Sequence, residues 1–141
     1  MAFDLERFVA AQRVAYDDVR AELRAGRKSG HWIWFIFPQL AGLGRSEMSR
    51  SYAIESLDEA RAYLAHRVLG PRLRECAGLV LASNSPTASA IFGSLDALKV
   101  GSSMTLFHRA APEEAVFADV LHRYYGDVPD AATDALIKGS R

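Results

Sequence analysis

Disulfides, zinc clusters, membrane spans and net charge are all missing from this chain, and each absence narrows what it can be. Cys76 is the only cysteine, so no intrachain disulfide can form. One cysteine and four scattered histidines offer no structural zinc spacing. No apolar run approaches the roughly 18 residues a spanning helix needs. The opening MAFDLERFVAAQR carries charges at Asp4, Glu6 and Arg7 and no apolar core segment, which argues against a secretory signal. The expected location is the cytoplasm. Seventeen acidic residues balance seventeen basic ones. Nonspecific nucleic-acid binding draws on a basic excess, so that partner is disfavoured.

Familiar catalytic signatures are missing as well. Gly42-x-Gly44 does not extend to GxGxxG, because Glu47 holds the third glycine position and no strand precedes it. There is no GxxxxGK[ST], HExxH or GxSxG. No metal site and no cofactor is indicated.

What is present is the profile of an ordinary globular domain. The 141 residues are half apolar and about a quarter charged, enough for one core without staples. Neither repeat nor linker divides them, so a single domain over 1–141 is expected. Apolar residues recur at helical spacing almost throughout. Leu5, Phe8, Val9, Tyr16, Val19 and Leu23 predict a first helix, with Asp4 as cap and Gly26 as stop. Ser56-x-x-Glu59 reads as a capping box. Val68, Leu69, Leu73, Cys76, Ala77, Val80 and Leu81 form a second stripe with Pro71 in its first turn, which makes Cys76 an inert core thiol. Ser85-Pro86 predicts a short helix ending at Gly93. Ser94 begins another, interrupted at Gly101. Ala111-Pro112-Glu113-Glu114 opens the next, and Asp130 caps the last. The aromatic run HWIWFIFP favours a strand by propensity, but no partner strand exists for it, and a lone strand leaves its backbone unpaired. A short buried helix from about Gly30 to the residues before Pro38 is therefore expected. The fold is all-α, with about seven or eight helices around that aromatic helix.

Two clusters escape this periodicity. In GRKSGHWIWFIFPQLAGLGRS, Arg27 and Lys28 can hold an anion and Trp32 or Trp34 can stack on a ring. His31 can act as acid or base. Gln39 offers an amide, and Gly42 and Gly44 let a ligand approach the backbone. The competing structural reading makes Trp34, Phe35 and Phe37 core and the basic pair a solvated helix end. In the second cluster Lys99, Ser102, Ser103 and Thr105 bring a cation and three hydroxyls together, as a phosphate- or ribose-binding turn or as plain caps. Asp96 reads as a first-turn helix charge.

The first cluster, together with SYAIESLDEARAYLAHRVLGPRLREC, IFGSLDALKVGSSMTLF and VFADVLHRYYGDVPDAATDALI, resembles the domain-of-unknown-function family 1810 along nearly the whole chain. Gly26, Arg27, Lys28, His31, Trp32, Trp34, Phe35, Pro38, Gln39, Gly42 and Gly44 match its pattern. Gly30 departs from it where a hydroxyl residue is usual, Ile33 replaces Met, and Arg67 stands where proline usually follows the histidine. The resemblance implies a single all-α domain and no established activity. Members are sometimes labelled calpastatin, but a disordered calpain inhibitor does not fit this helical pattern. Size, helicity and the polar-aromatic segment also resemble the NADAR group, which implies NAD or ADP-ribose chemistry. The functional expectation is a pocket for a phosphorylated, ring-containing small molecule, with hydrolysis of an ADP-ribose or NAD-related compound as its catalytic form. The alternative is a non-enzymatic protein interaction module or homodimer. Oligomeric state stays open.

Overall fold

A computed structural model describes residues 3–139 as nine α-helices with no strand among them. In chain order they are α1 (Glu6–Ala25), α2 (Ile33–Ile36), α3 (Glu47–Ser51), α4 (Leu57–Ala65), α5 (Leu69–Ala82), α6 (Ala88–Phe92), α7 (Ser94–Ala110), α8 (Ala115–Tyr125) and α9 (Ala131–Gly139). The count exceeds the expected seven or eight through α3. That turn was not foreseen; its cap is Ser46, whose hydroxyl accepts from the Ser49 amide at 3.0 Å.

The centre of the fold is α7, which packs against α2, α4, α6, α8 and α9. Every residue from Val100 to Phe107 is buried, and a helix covered on all sides carries small and apolar residues around its whole circumference. The expected interruption at Gly101 does not occur. A Cβ there would lie 2.9 Å from the Tyr125 ring. Glycine here makes room for a neighbouring helix, and the tyrosine hydroxyl donates to the Ala97 carbonyl at 2.6 Å.

Several expected helix starts also move. Leu5, not Asp4, precedes α1, in helical conformation and without a side-chain cap. The start expected at Ser85-Pro86 shifts to Thr87, whose hydroxyl accepts from the Ala90 amide. Glu114 does not serve the α8 dipole from inside the first turn; the helix starts after it, and its carboxylate takes the Arg74 guanidinium at 2.6 and 2.9 Å. Ser56 caps α4 as expected, while Glu59 reaches back to the Glu55 amide, one residue before the box position. Asp130 caps α9 through the Thr133 amide and hydroxyl. Gly26 ends α1 in the left-handed conformation that glycine accommodates without a Cβ clash.

The aromatic run is helical for one turn only. Its upstream amides are already committed: Ser29 N–H, Gly30 N–H and Trp32 Nε1–H all donate to Glu22 Oε1, at 2.6, 2.8 and 3.0 Å. Helix α2 begins only at Ile33, after this strap. Beyond Pro38 the chain pairs once, as a parallel bridge between Leu40 and Ile54. The rings then run through the core as one chain of contacts, from Trp32 to Phe37 and on to Phe92 edge-to-face. Buried Gln12 ties this layer together. Its amide donates to the Phe35 carbonyl and the Tyr63 hydroxyl and accepts from Arg72.

Candidate functional site

The loop from Gly26 to Trp32 is a structured strap. Its start follows the αL cap of α1, and the Lys28 amide donates to the Ile91 carbonyl at 2.7 Å, which fastens it to α6. Its centre is Glu22. An acid in the last turn of a helix opposes the dipole, yet here it gathers three donors from the strap. Burial works to raise the Glu22 carboxyl, but the Gly30 and Ser29 amides and then the Trp32 indole outweigh it and hold the group below its ordinary value.

Lys28 carries the strap onto α7. Its ammonium, only 8% exposed at the side chain, lies 2.9 Å from Asp96 Oδ2, donates to the Gly30 carbonyl and sits 5.1 Å from the Trp32 ring centre. Lys99 takes the other oxygen of the same carboxylate at 3.1 Å and sits 5.4 Å over the Trp34 ring. Both ring distances fall within cation–π range. Two ammonium groups thus share one carboxylate, with the Lys99 cation beside half-buried Trp34. Burial alone would raise the Asp96 carboxyl. The hydrogen bonds and charges of Lys28 and Lys99 outweigh it and keep the group below its usual value.

The expected site residues therefore divide. Lys28, Trp32 and Lys99 come together, with Trp32 2% exposed and facing the core. Arg27 and His31 lie exposed on the same strap. Gln39, Gly42 and Gly44 line a different hollow of about 320 Å³ with Ser49, Arg50 and Glu55, and it shares no wall residue with the lysine cluster. Their glycines have structural reasons to be there: Gly42 has φ +102°, and a Cβ on Gly44 would lie 2.4 Å from Ser49. Ser102, Ser103 and Thr105 are buried on α7, at 6%, 0% and 0% exposure. Ser102 and Thr105 donate back to the carbonyls of Leu98 and Gly101. The Thr105 hydroxyl also accepts from the Asp130 amide, so it holds the start of α9. This is the back-bonding open to hydroxyls inside helices.

Two participants were missed. Asp96 was read as a helix charge, although Asp96-x-x-Lys99 is a helical i,i+3 pair. The dipole-opposed position of Glu22 was the other readable signal. Leu95 and Leu98, on the same end of α7 as this pair, are 74% and 69% exposed. Among the described residues no group of three or more His, Cys, Asp or Glu side chains comes together to hold a metal, and no helix is long and apolar enough to cross a membrane. Cys76 is fully buried against Tyr16, and burial pushes its thiol up to about 12.

Comparison with known proteins decides the family. The model of the family described as a protein of unknown function, DUF1810, matches residues 2–137. The chain belongs to the DUF1810 family. The chain is also similar to the conserved hypothetical protein Rv1873 of Mycobacterium tuberculosis, known from a crystal structure at 1.38 Å. The two are 54% identical, with a TM-score of 0.95 over 96% of this chain and 97% of the other. No curated protein sequence matches the chain. The strap Gly26–Trp32 and its partner Asp96 both fall inside the DUF1810 match.

Proposed function

We propose that this DUF1810 protein binds a phosphorylated, ring-containing small molecule of nucleotide or ADP-ribose type at the Lys28–Asp96–Lys99 cluster. One observation carries the reading: two ammonium groups, each over an indole, are balanced by a single carboxylate. A phosphate oxygen satisfies the excess charge by taking Lys99, whose side chain is 29% exposed against 8% for Lys28. Trp34 is half-buried and supplies a face for the ring. Arg27 and His31 are exposed on the strap and supply further donors, and His31 is the acid or base of the hydrolytic form of this reading. The test is a thermal-shift series with nucleotides, NAD and ADP-ribose on the wild type and Lys99→Ala. A ligand at a hundred times its dissociation constant stabilises by about 2.7 kcal/mol. That gain is expected in the wild type and lost in Lys99→Ala. No shift at millimolar ligand overturns the reading.

A second reading, an interaction module or homodimer, draws support from Leu95 and Leu98, which expose apolar surface one turn apart. A sedimentation series comparing the wild type with Leu95→Ser/Leu98→Ser separates the two readings. Association that the double variant abolishes, with no ligand shift in the first assay, favours the module.

A further inference from the structure

The first turns of α1 and the bend between α4 and α5 enclose a cleft of about 430 Å³, the size range of small-molecule sites. Its polar walls are Glu6, Arg13, His66, Arg67 and Arg72. Three arginines against one glutamate leave an excess of two positive charges in a chain whose net charge is zero. The Arg13–Glu6 pair spans 3.6 Å between side chains 69% and 70% exposed, where an ion pair is weak. Among the described residues neither Arg67 nor Arg72 pairs with a carboxylate.

Arg72 is held in place without being neutralised. Its guanidinium lies 4.5 Å over the Tyr16 ring, and one nitrogen donates to Gln12 Oε1 at 3.4 Å. The remaining N–H groups of the fork are left for another acceptor. His66 is fixed as well. Its Nδ1 accepts from the amides of Val68 and Leu69 at 3.1 and 3.3 Å, so the neutral ring carries its proton on Nε2 and is a donor there. Those bonds use the amides of Val68 and of Leu69, the first residue of α5, and the helix adds the partial positive charge of its N-terminus. Side chains do the binding.

We propose that this cleft is a second ligand site, separate from the lysine cluster, and that it takes a polyphosphate chain, free or as the di- or triphosphate of a nucleotide. Two planar guanidinium forks without carboxylate partners, a third nearby and a fixed imidazole donor match the several acceptor oxygens of such a chain. Arginine forks recognise phosphate oxygens two at a time.

Arg67 provides a clean perturbation. His66 has φ −68° and ψ 133°, the conformation favoured before proline. The Arg67 amide donates to no group among the described residues. Arg67→Pro therefore removes a charge without removing a backbone hydrogen bond. The experiment titrates ¹⁵N-labelled protein with inorganic tripolyphosphate, and separately with a nucleoside triphosphate, at constant ionic strength. Amide shifts centred on residues 66–70 and on Arg13 are expected, with affinity falling at least about tenfold in Arg67→Pro/Arg13→Ser. Lys99→Ala should leave these shifts unchanged. Equal affinity for the two ligands identifies the free chain as sufficient, and tighter nucleotide binding identifies the nucleotide as the source. Shifts centred on the lysine cluster instead, or a double variant that melts like the wild type and binds within twofold of it, overturn the proposal.

Discussion

Replacing Asp96 by asparagine tests whether one carboxylate holds the strap to α7. The substitution keeps the shape and removes the charge that Lys28 and Lys99 share. Removing one partner of a fully buried ion pair costs about 3–5 kcal/mol. Here the side chains of Lys28, Asp96 and Lys99 are 8%, 19% and 29% exposed, so solvent softens the loss. Lys28 also keeps the Gly30 carbonyl and the Trp32 ring. The expected cost is about 2–3 kcal/mol, a drop of roughly 6–10 °C in melting temperature for a domain of this size. Lys28→Met should cost less, about 1 kcal/mol, because the remaining carboxylate keeps Lys99. The double variant should then recover about 1–2 kcal/mol relative to the sum of the singles.

The same pair of proteins gives a pH test with a defined sign. Asp96 is held below its ordinary value in the folded state. A depressed acid stabilises the fold above its unfolded pKa, about 3.9, and loses that contribution as pH falls through its lower folded value. The difference between the wild type and Asp96→Asn should stay constant from pH 7 to about pH 5 and close below about pH 4. Glu22, Glu114 and Asp134 are depressed too, but they titrate in both proteins and cancel in the difference. Chemical denaturation at each pH reads it. An asparagine variant as stable as the wild type at pH 7, or a gap as large at pH 3 as at pH 7, refutes the reasoning.

Cys76 should resist a thiol reagent at pH 8 in the native protein and react only once denaturant unfolds it, because the thiol is buried and its pKa stands near 12; native labelling at the rate of a free thiol contradicts this. Gly101→Ala should lower stability by about 1–2 kcal/mol, since a new methyl 2.9 Å from the Tyr125 ring outweighs the roughly 1 kcal/mol that alanine gains in a helix. A raised melting temperature would show that the helix is closed there for another reason.

Helical periodicity makes most of the fold readable in the sequence. Most of the α1 and α5 stripes are buried, Phe8, Tyr16, Val19 and Leu23 on one and Leu69, Leu73, Cys76, Ala77 and Val80 on the other, because apolar spacing reports which face meets the core. What periodicity cannot report is competition for a donor or for space. HWIWFIFP is not helical as far back as Gly30, and nothing local in it shows that Glu22, eight residues upstream, gathers the Gly30 amide into the strap. Gly101 looked like a break because its partner Tyr125 is distant in sequence. The hydroxyls of Ser102, Ser103 and Thr105 looked like a binding turn for a related reason: helix α7 is buried all round, so polar residues there face protein and two of them bond within their own helix. The lysine cluster was half legible. Its cations stood out in sequence, but the carboxylate that joins them did not, since an acid in a first helical turn already has a local explanation.

Net charge shows the same gap between a sum and its arrangement. Seventeen positive and seventeen negative residues argue against a broad polyanion surface, and six of the fourteen arginines, Arg7, Arg13, Arg20, Arg61, Arg74 and Arg109, each meet a carboxylate. Cancellation is local for those six, and cations gather without matching acids at two places. One is the lysine cluster, with two cations on one acid. The other is the cleft of Arg67 and Arg72. A balanced chain can hold such excesses only if acids elsewhere lack partners, and Asp17 and Asp18 on α1 form no ion pair among the described residues. Screening shortens the reach of exposed charges to about 8 Å at physiological salt. What a small anion meets at either place is therefore set by the few residues around it, and the two excesses are the places where a phosphate-bearing ligand should first be sought.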